Sequence, residues 1–218
     1  FEKTKTHWDS NKMPFDLDVF LGHCLRVVRA RGAVCIFAAP PFSALLLIAG
    51  RKHYRYSWYY EKSKGSNFGN TSLQPLRIIE EILVFSNAIA SSNQYTDSSQ
   101  TMVYHPPLVK LERPYTREDK PHHKKIKSPS LSTHVIHNTE TFIRTANHKT
   151  PTNLFYSAMD NEEARGSHPT QKPVDVCSYL SETYAEKDGV VLDCFMGSGS
   201  TGVAAMKTGR RFIGIEKD

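Results

Sequence analysis

Apolar positions recur along the chain with two different periods, and the changes of period mark its elements. Leu17, Phe20, Leu21, Cys24, Leu25 and Val28 fall at helical spacing and form one continuous apolar stripe. Asp16 stands where a side chain can cap that helix, Arg26 and Arg29 suit its C-terminal dipole, and Gly32 offers a stop. The unbroken apolar run Ala33 to Phe37 predicts a buried strand. Pro40-Pro41 ends it, and Phe42 to Ala49 predicts a second helix closing at Gly50. Aromatic and β-branched runs at Tyr54 to Tyr60 and Ile82 to Phe85 predict two more strands, with the polar stretch Lys62 to Arg77 as the loop between them. Val176, Cys177, Leu180 and Tyr184 share one helical face, and the short apolar runs Val190 to Leu192 and Arg211 to Ile215 predict strands on either side of a further helix. Strands alternating with helices predict an α/β sheet. Between residues 87 and 150 the periodicity fades.

The sharpest chemistry lies at the C-terminal end, in VVLDCFMGSGSTGVAAMKTGRRFIGIEKD. Asp193 closes the first strand, Gly197, Gly199 and Gly202 form G-x-G-x-x-G where the chain turns into a helix, and Glu216 ends the second strand. A glycine motif by itself says little. With strand, loop, helix, strand and terminal acid in order, the unit predicts a site for an adenosine-containing cofactor: the glycines admit close backbone approach, and the acid accepts hydrogen bonds from ribose hydroxyls. Two cofactors fit that description. A dinucleotide oxidoreductase would carry this unit near its start with a second half-sheet after it, whereas here it comes last.

His168-Pro169-Thr170-Gln171-Lys172-Pro173, the helix after it, VLDCFMGSGSTG and FIGIEKD together resemble the circularly permuted β class of DNA amino-methyltransferases. The resemblance extends upstream through THWDSNKMPFD, RGAVCIFAAPPFS, YSWYYEKSKGSNFGNTSLQPLR and EEILVFS, and omits only residues 87–150. It implies a Rossmann-like, S-adenosylmethionine-dependent sheet, circularly permuted, with a catalytic and cofactor domain over residues 1–86 and 151–218 and an irregular target-recognition insertion over residues 87–150. It assigns Asp193, Phe195, Gly197, Ser198, Gly199 and Thr201 to the cofactor loop, Glu216 to the ribose, and Thr170 and Lys172 to the methionine end, where Lys172 reads either as a carboxylate partner or as a surface lysine. Phe68, in the Ser66-Asn67-Phe68 loop, is the candidate aromatic against the target base, with a packed loop anchor as the other reading. The implied reaction is methyl transfer to a base amino group in double-stranded DNA, adenine N6 rather than cytosine N4, in a restriction–modification or phage setting in a bacterial cytoplasm.

The family's catalytic tetrapeptide, an acidic or polar residue followed by Pro-Pro and an aromatic, has one near match, Ala39-Pro40-Pro41-Phe42. Ala39 has no side-chain acceptor and ends the wrong strand, so the segment reads as a turn, and the catalytic tetrapeptide is expected before Phe1. Both ends of the chain read as truncated, so this stretch alone is expected to be inactive. A non-catalytic DNA-binding relative is the alternative that follows from Ala39.

Charge sharpens the insertion. The chain carries a formal net charge of +6. From His105 to Thr150 there are nine Lys or Arg and four Asp or Glu, so nearly all of the excess lies there, including Lys124, Lys125 and Lys127. Such a segment reads as a solvated loop or as a phosphate-contacting surface, and the cofactor unit favours the second. The four cysteines, Cys24, Cys35, Cys177 and Cys194, lack paired spacing, which predicts free thiols and no zinc site. No apolar run is long enough to predict a membrane span.

Overall fold

The first helix starts where the sequence places its cap. Asp16 Oδ1 accepts hydrogen bonds from the backbone N–H of Asp18 at 2.8 Å and of Val19 at 3.3 Å, which satisfies two of the donors a helix start leaves open. A computed structural model describes residues 16–91, 97–119, 123–124, 136–137, 142–149, 151–157 and 171–217. In chain order the elements are α1 (Leu17–Val27), β1 (Val34–Ala38), α2 (Phe42–Ala49), β2 (Tyr54–Ser66), β3 (Arg77–Phe85), β4 (Val109–Asp119), β5 (His123–Lys124), β6 (Ile136–His137), β7 (Phe142–Lys149), β8 (Leu154–Ser157), α3 (Val174–Tyr184), β9 (Val190–Asp193), α4 (Ser200–Lys207) and β10 (Arg211–Gly214).

Four strands form a mixed sheet in the order β1-β3-β2-β8, with β3 antiparallel to both neighbours and β8 parallel to β2. A register shift between Tyr54 and Tyr56 turns the first residue of β2 to the opposite face from the rest of the aromatic row. Tyr56, Trp58 and Tyr60 therefore join Ile82, Val84 and the α3 residues Val176, Leu180 and Tyr184 in one core, while Tyr54 joins Leu83, Phe85 and the residues Leu21, Leu25 and Leu46 of α1 and α2 in the other. The expected stripes of α1 and α3 thus face the sheet from opposite sides. Three expectations shift. α1 ends at Val27, with Val28 extended, well before Gly32. β2 continues through Ser66 because Glu61 and Ser66 still pair with Ile79 and Arg77, so part of the stretch expected as loop is strand. β3 likewise begins at Arg77 rather than Ile82.

β9 and β10 form a separate parallel pair, Val190 opposite Arg211 through Asp193 opposite Gly214, with α4 as their crossover.

The chain divides into two compact units, one of residues up to Pro107 and from Thr152 onward, the other Leu108–Pro151. The insertion was expected from residue 87, but Ala88 and Met102 are buried in the Trp58 core and Arg31 Nε donates to the carbonyl of Thr101 at 2.7 Å, which ties Ala88, Thr101 and Met102 to the first unit. In the second unit, the segment expected to be irregular contains an antiparallel ribbon of β4 and β7 and a short β5–β6 pair.

Candidate functional site

Each glycine of the loop after β9 has its own reason. Gly197 and Gly199 have φ of +50° and +80°, the left-handed region that side chains rarely adopt, and a Cβ at either would meet nothing within 4 Å, so the backbone there is open to an approaching ligand. Gly202 lies inside α4, and a Cβ on it would sit 2.8 Å from the ring of Phe212 on β10, so it sets the close approach of helix and strand.

The loop is held from both ends. Asp193 Oδ1 accepts the backbone N–H of Phe195 at 3.0 Å, and Glu216 Oε2 accepts that of Gly197 at 2.7 Å. Backbone bonds from Met196 to Ile215 and from Ile215 to Asp193 stitch the loop to the end of β10. The two acids that the sequence singled out therefore converge on one loop, and Glu216 and Ser198 stay exposed. Phe195 is 62% exposed, with its ring 5.8 Å from that of Phe20 in α1.

The start of α3 lies against the first turn of α4, which follows this loop. Cys177 Sγ is 4.0 Å from Thr201 Oγ1, and burial pushes its thiol up to about 11. Burial likewise raises Cys35 to about 12 and Cys24 to about 11. All four cysteines are free.

Just before α3, Lys172 Nζ donates to Glu80 Oε2 at 2.8 Å and lies 5.1 Å from the centre of the Phe37 ring. Glu80 Oε1 is also 3.4 Å from Lys62 Nζ. Burial pushes the Glu80 carboxyl up, but the two lysines together pull it below its ordinary value of 4.5. Next to this cluster Ser157 Oγ donates to Asp175 Oδ2 at 2.7 Å, and the buried Tyr60 hydroxyl has no hydrogen-bond partner among the described residues. Sequence reasoning missed Glu80, Lys62 and Asp175. The one available signal was an acid at Glu80 in line with Ile82 and Val84, on the face that is otherwise apolar.

Phe68 is 64% exposed and begins a 3-10 turn after Asn67, whose φ is +79°. Ala39-Pro40-Pro41-Phe42 links β1 to α2: the Ala39 carbonyl accepts the Ser43 N–H at 3.1 Å, and the Pro40-Pro41 bond is cis. Thr170, Lys125, Lys127 and the Trp8 region lie outside the described residues, and the Lys124 side chain is likewise not described. Among the described residues no group of three His, Cys, Asp or Glu side chains gathers for a metal, and no helix is long and apolar enough to cross a membrane.

Comparison with known proteins bears on this arrangement. A family model described as DNA methylase matches residues 1–218. The type II methyltransferase M2.MboI of Moraxella bovis is 44% identical over 57 residues, 26% of this chain and 21% of that protein. The putative methylase YubD of Escherichia coli K12 is 55% identical over 49 residues, 22% of each chain. The matched stretch thus spans about a fifth of these curated relatives. Among solved structures, the complex of M1.HpyAVI with SAM aligns over 92% of this chain and 76% of its own at a TM-score of 0.54 and 17% identity. The cytosine-N4-specific PvuII DNA methyltransferase aligns over 93% and 66% at a TM-score of 0.55 and 14% identity. At such identities the likeness is one of fold, an α/β sheet shared with DNA methyltransferases.

Proposed function

The chain belongs to the DNA methylase family, and from that membership we propose that it serves in methyl transfer from S-adenosylmethionine to an exocyclic amino group of a base in double-stranded DNA. The observation that carries this reading is the open glycine loop, held between Asp193 and Glu216 at the ends of two parallel strands. S-adenosylmethionine, when bound, supplies a methyl group already activated by its sulfonium.

The residues present suit such a ligand. Gly197, Ser198 and Gly199 offer exposed or open backbone, Thr201 a hydroxyl, and Glu216 a carboxylate for ribose hydroxyls, with Phe195 beside the loop. Thr170 and Lys172 belong to the segment assigned to the methionine end. Phe68, exposed on its turn, would stack on a base drawn out of the duplex. Lys124, Lys125 and Lys127 would meet phosphates from the unit Leu108–Pro151, the proposed target-recognition region. Amine orientation requires an acceptor that Ala39 cannot supply, so no described residue is given that role. Adenine N6 is the proposed acceptor in preference to cytosine N4, and a type II restriction–modification setting in a bacterial cytoplasm is the proposed context.

Calorimetry on the full-length protein tests the cofactor. Glu216→Ala removes charge-assisted hydrogen bonds and should weaken S-adenosylmethionine about tenfold or more. Unchanged affinity would remove Glu216 from the site. For DNA, replacing Lys124, Lys125 and Lys127 with Gln should flatten the log–log salt dependence of binding by roughly 0.9 per lost phosphate contact. A tritium-transfer assay followed by nucleoside analysis separates N6-methyladenine from N4-methylcytosine, and an absence of both from full-length protein would favour a non-catalytic DNA-binding role.

A further inference from the structure

We propose that Glu80 is a positioning residue that couples the cofactor side of the first unit to the loop carrying Phe68, by sharing one carboxylate between Lys172 and Lys62; this rests on the cofactor reading just given. Glu80 lies directly opposite Tyr60, and its strand neighbours on the same face, Ile82 and Val84, are fully buried core. A carboxylate there needs partners. It takes them from two separate segments. Lys172 comes from the stretch leading into α3, whose Cys177 touches Thr201 in the first turn of α4, directly after the glycine loop. Lys62 comes from the far end of β2, where its Nζ also donates to Ser66 Oγ at 3.3 Å, and Ser66 in turn donates to the carbonyl of Arg77 at 3.3 Å. Ser66 immediately precedes Asn67, whose left-handed backbone and side-chain bond from Asn70 at 2.7 Å set the turn that exposes Phe68.

Two ammonium groups share the one carboxylate of Glu80, so the lysines compete for it. The present division is unequal, 2.8 Å to Lys172 and 3.4 Å to Lys62. Whatever draws Lys172 toward another anion gives Glu80 a larger hold on Lys62, which loosens Lys62 from Ser66. Occupation at the glycine loop is thereby reported at residues 66–70 through one shared group, a two-state element of the kind that coupling between sites requires.

The test is amide hydrogen exchange of residues 67–70 in the full-length protein, with and without saturating sinefungin, an unreactive S-adenosylmethionine analogue. In the wild type, sinefungin should speed exchange at these amides about fivefold or more. Lys62→Met keeps the Lys172–Glu80 pair; it should bind sinefungin within about twofold of wild type by calorimetry, yet lose the exchange response. Glu80→Gln should lose the response as well. A role confined to holding the fold would change the baseline exchange and leave the sinefungin response in place. The proposal is overturned if the wild-type loop ignores bound sinefungin or if Lys62→Met still responds. Failure of the wild type to bind sinefungin at all would instead strike the cofactor reading, and this inference with it.

Discussion

Two glycines separate what a missing side chain does in this protein. Gly202 is pressed against Phe212, while Gly22, midway along α1, has nothing within 4 Å of where a Cβ would stand. Gly202→Ala overpacks the α4–β10 contact and should destabilise by about 1–3 kcal/mol. Gly22→Ala should stabilise by roughly 0.5–1 kcal/mol, since alanine loses less backbone freedom in a helix. Urea unfolding of both variants checks the opposite signs. Glu80 gives a pH signature at the same scale. Its carboxyl is held below 4.5 in the folded protein, so its contribution is complete above that pH and is lost as the pH falls through the lower, folded value. Glu80→Gln should therefore be less stable than wild type at neutral pH, and the two should converge in acid; a constant gap down the acid limb of a thermal-melt series would contradict this. Glu80 also shows where the sequence goes silent. Its ion pair with Lys172 spans 92 positions, and no local pattern announces a contact of that separation. The Asp16 cap and the Asp193 turn, by contrast, act within three residues and are legible from spacing alone.

At the scale of elements, α2 shows an apolar sequence with a narrow buried face. Of FSALLLIA only Ser43 and Leu46 are buried, Leu46 completely, while Ile48 is 67% exposed. Leu46→Ala opens a cavity against Leu83 and Phe85 and should cost about 2–5 kcal/mol, whereas Ile48→Ala should stay within roughly 0.5 kcal/mol. Equal losses in denaturant midpoints would mean that α2 is seated differently. Strong apolar runs predicted the elements well: α2 has the expected bounds, and all four α3 stripe residues are buried. The extension of β2 through Lys62, Lys64 and Gly65 was hidden because those residues have little strand preference of their own. Pairing with β3 and β8 imposes the strand there, as tertiary context commonly does. The β4–β7 ribbon was hidden for a related reason, since its charges interrupt the alternation by which a strand is recognised.

For the molecule as a whole, the uneven charge now has a physical address. Leu108–Pro151, a unit by its own contacts, holds nearly all of the excess positive charge, and the unit with the glycine loop is close to neutral. That the glycine turn and its two acids were legible while the fold around them was read only in outline has one cause: a tight turn depends on a few adjacent residues, whereas the sheet depends on distant strands. Inside that sheet one side chain offers an optical report. Trp58 is 2% exposed, its indole N–H donates to the Tyr184 hydroxyl, and the rings of Tyr56 and Tyr179 stand 6.3 Å and 5.4 Å from it. Tyrosines at that range pass excitation energy to tryptophan, and an indole shielded from water emits at shorter wavelength. In a Trp8→Phe variant, excitation of tyrosine should yield blue-shifted Trp58 light for as long as α3 rests on the sheet. The colour of that emission would then follow the docking of the helix that joins Lys172 to the glycine loop, without any label added to the protein.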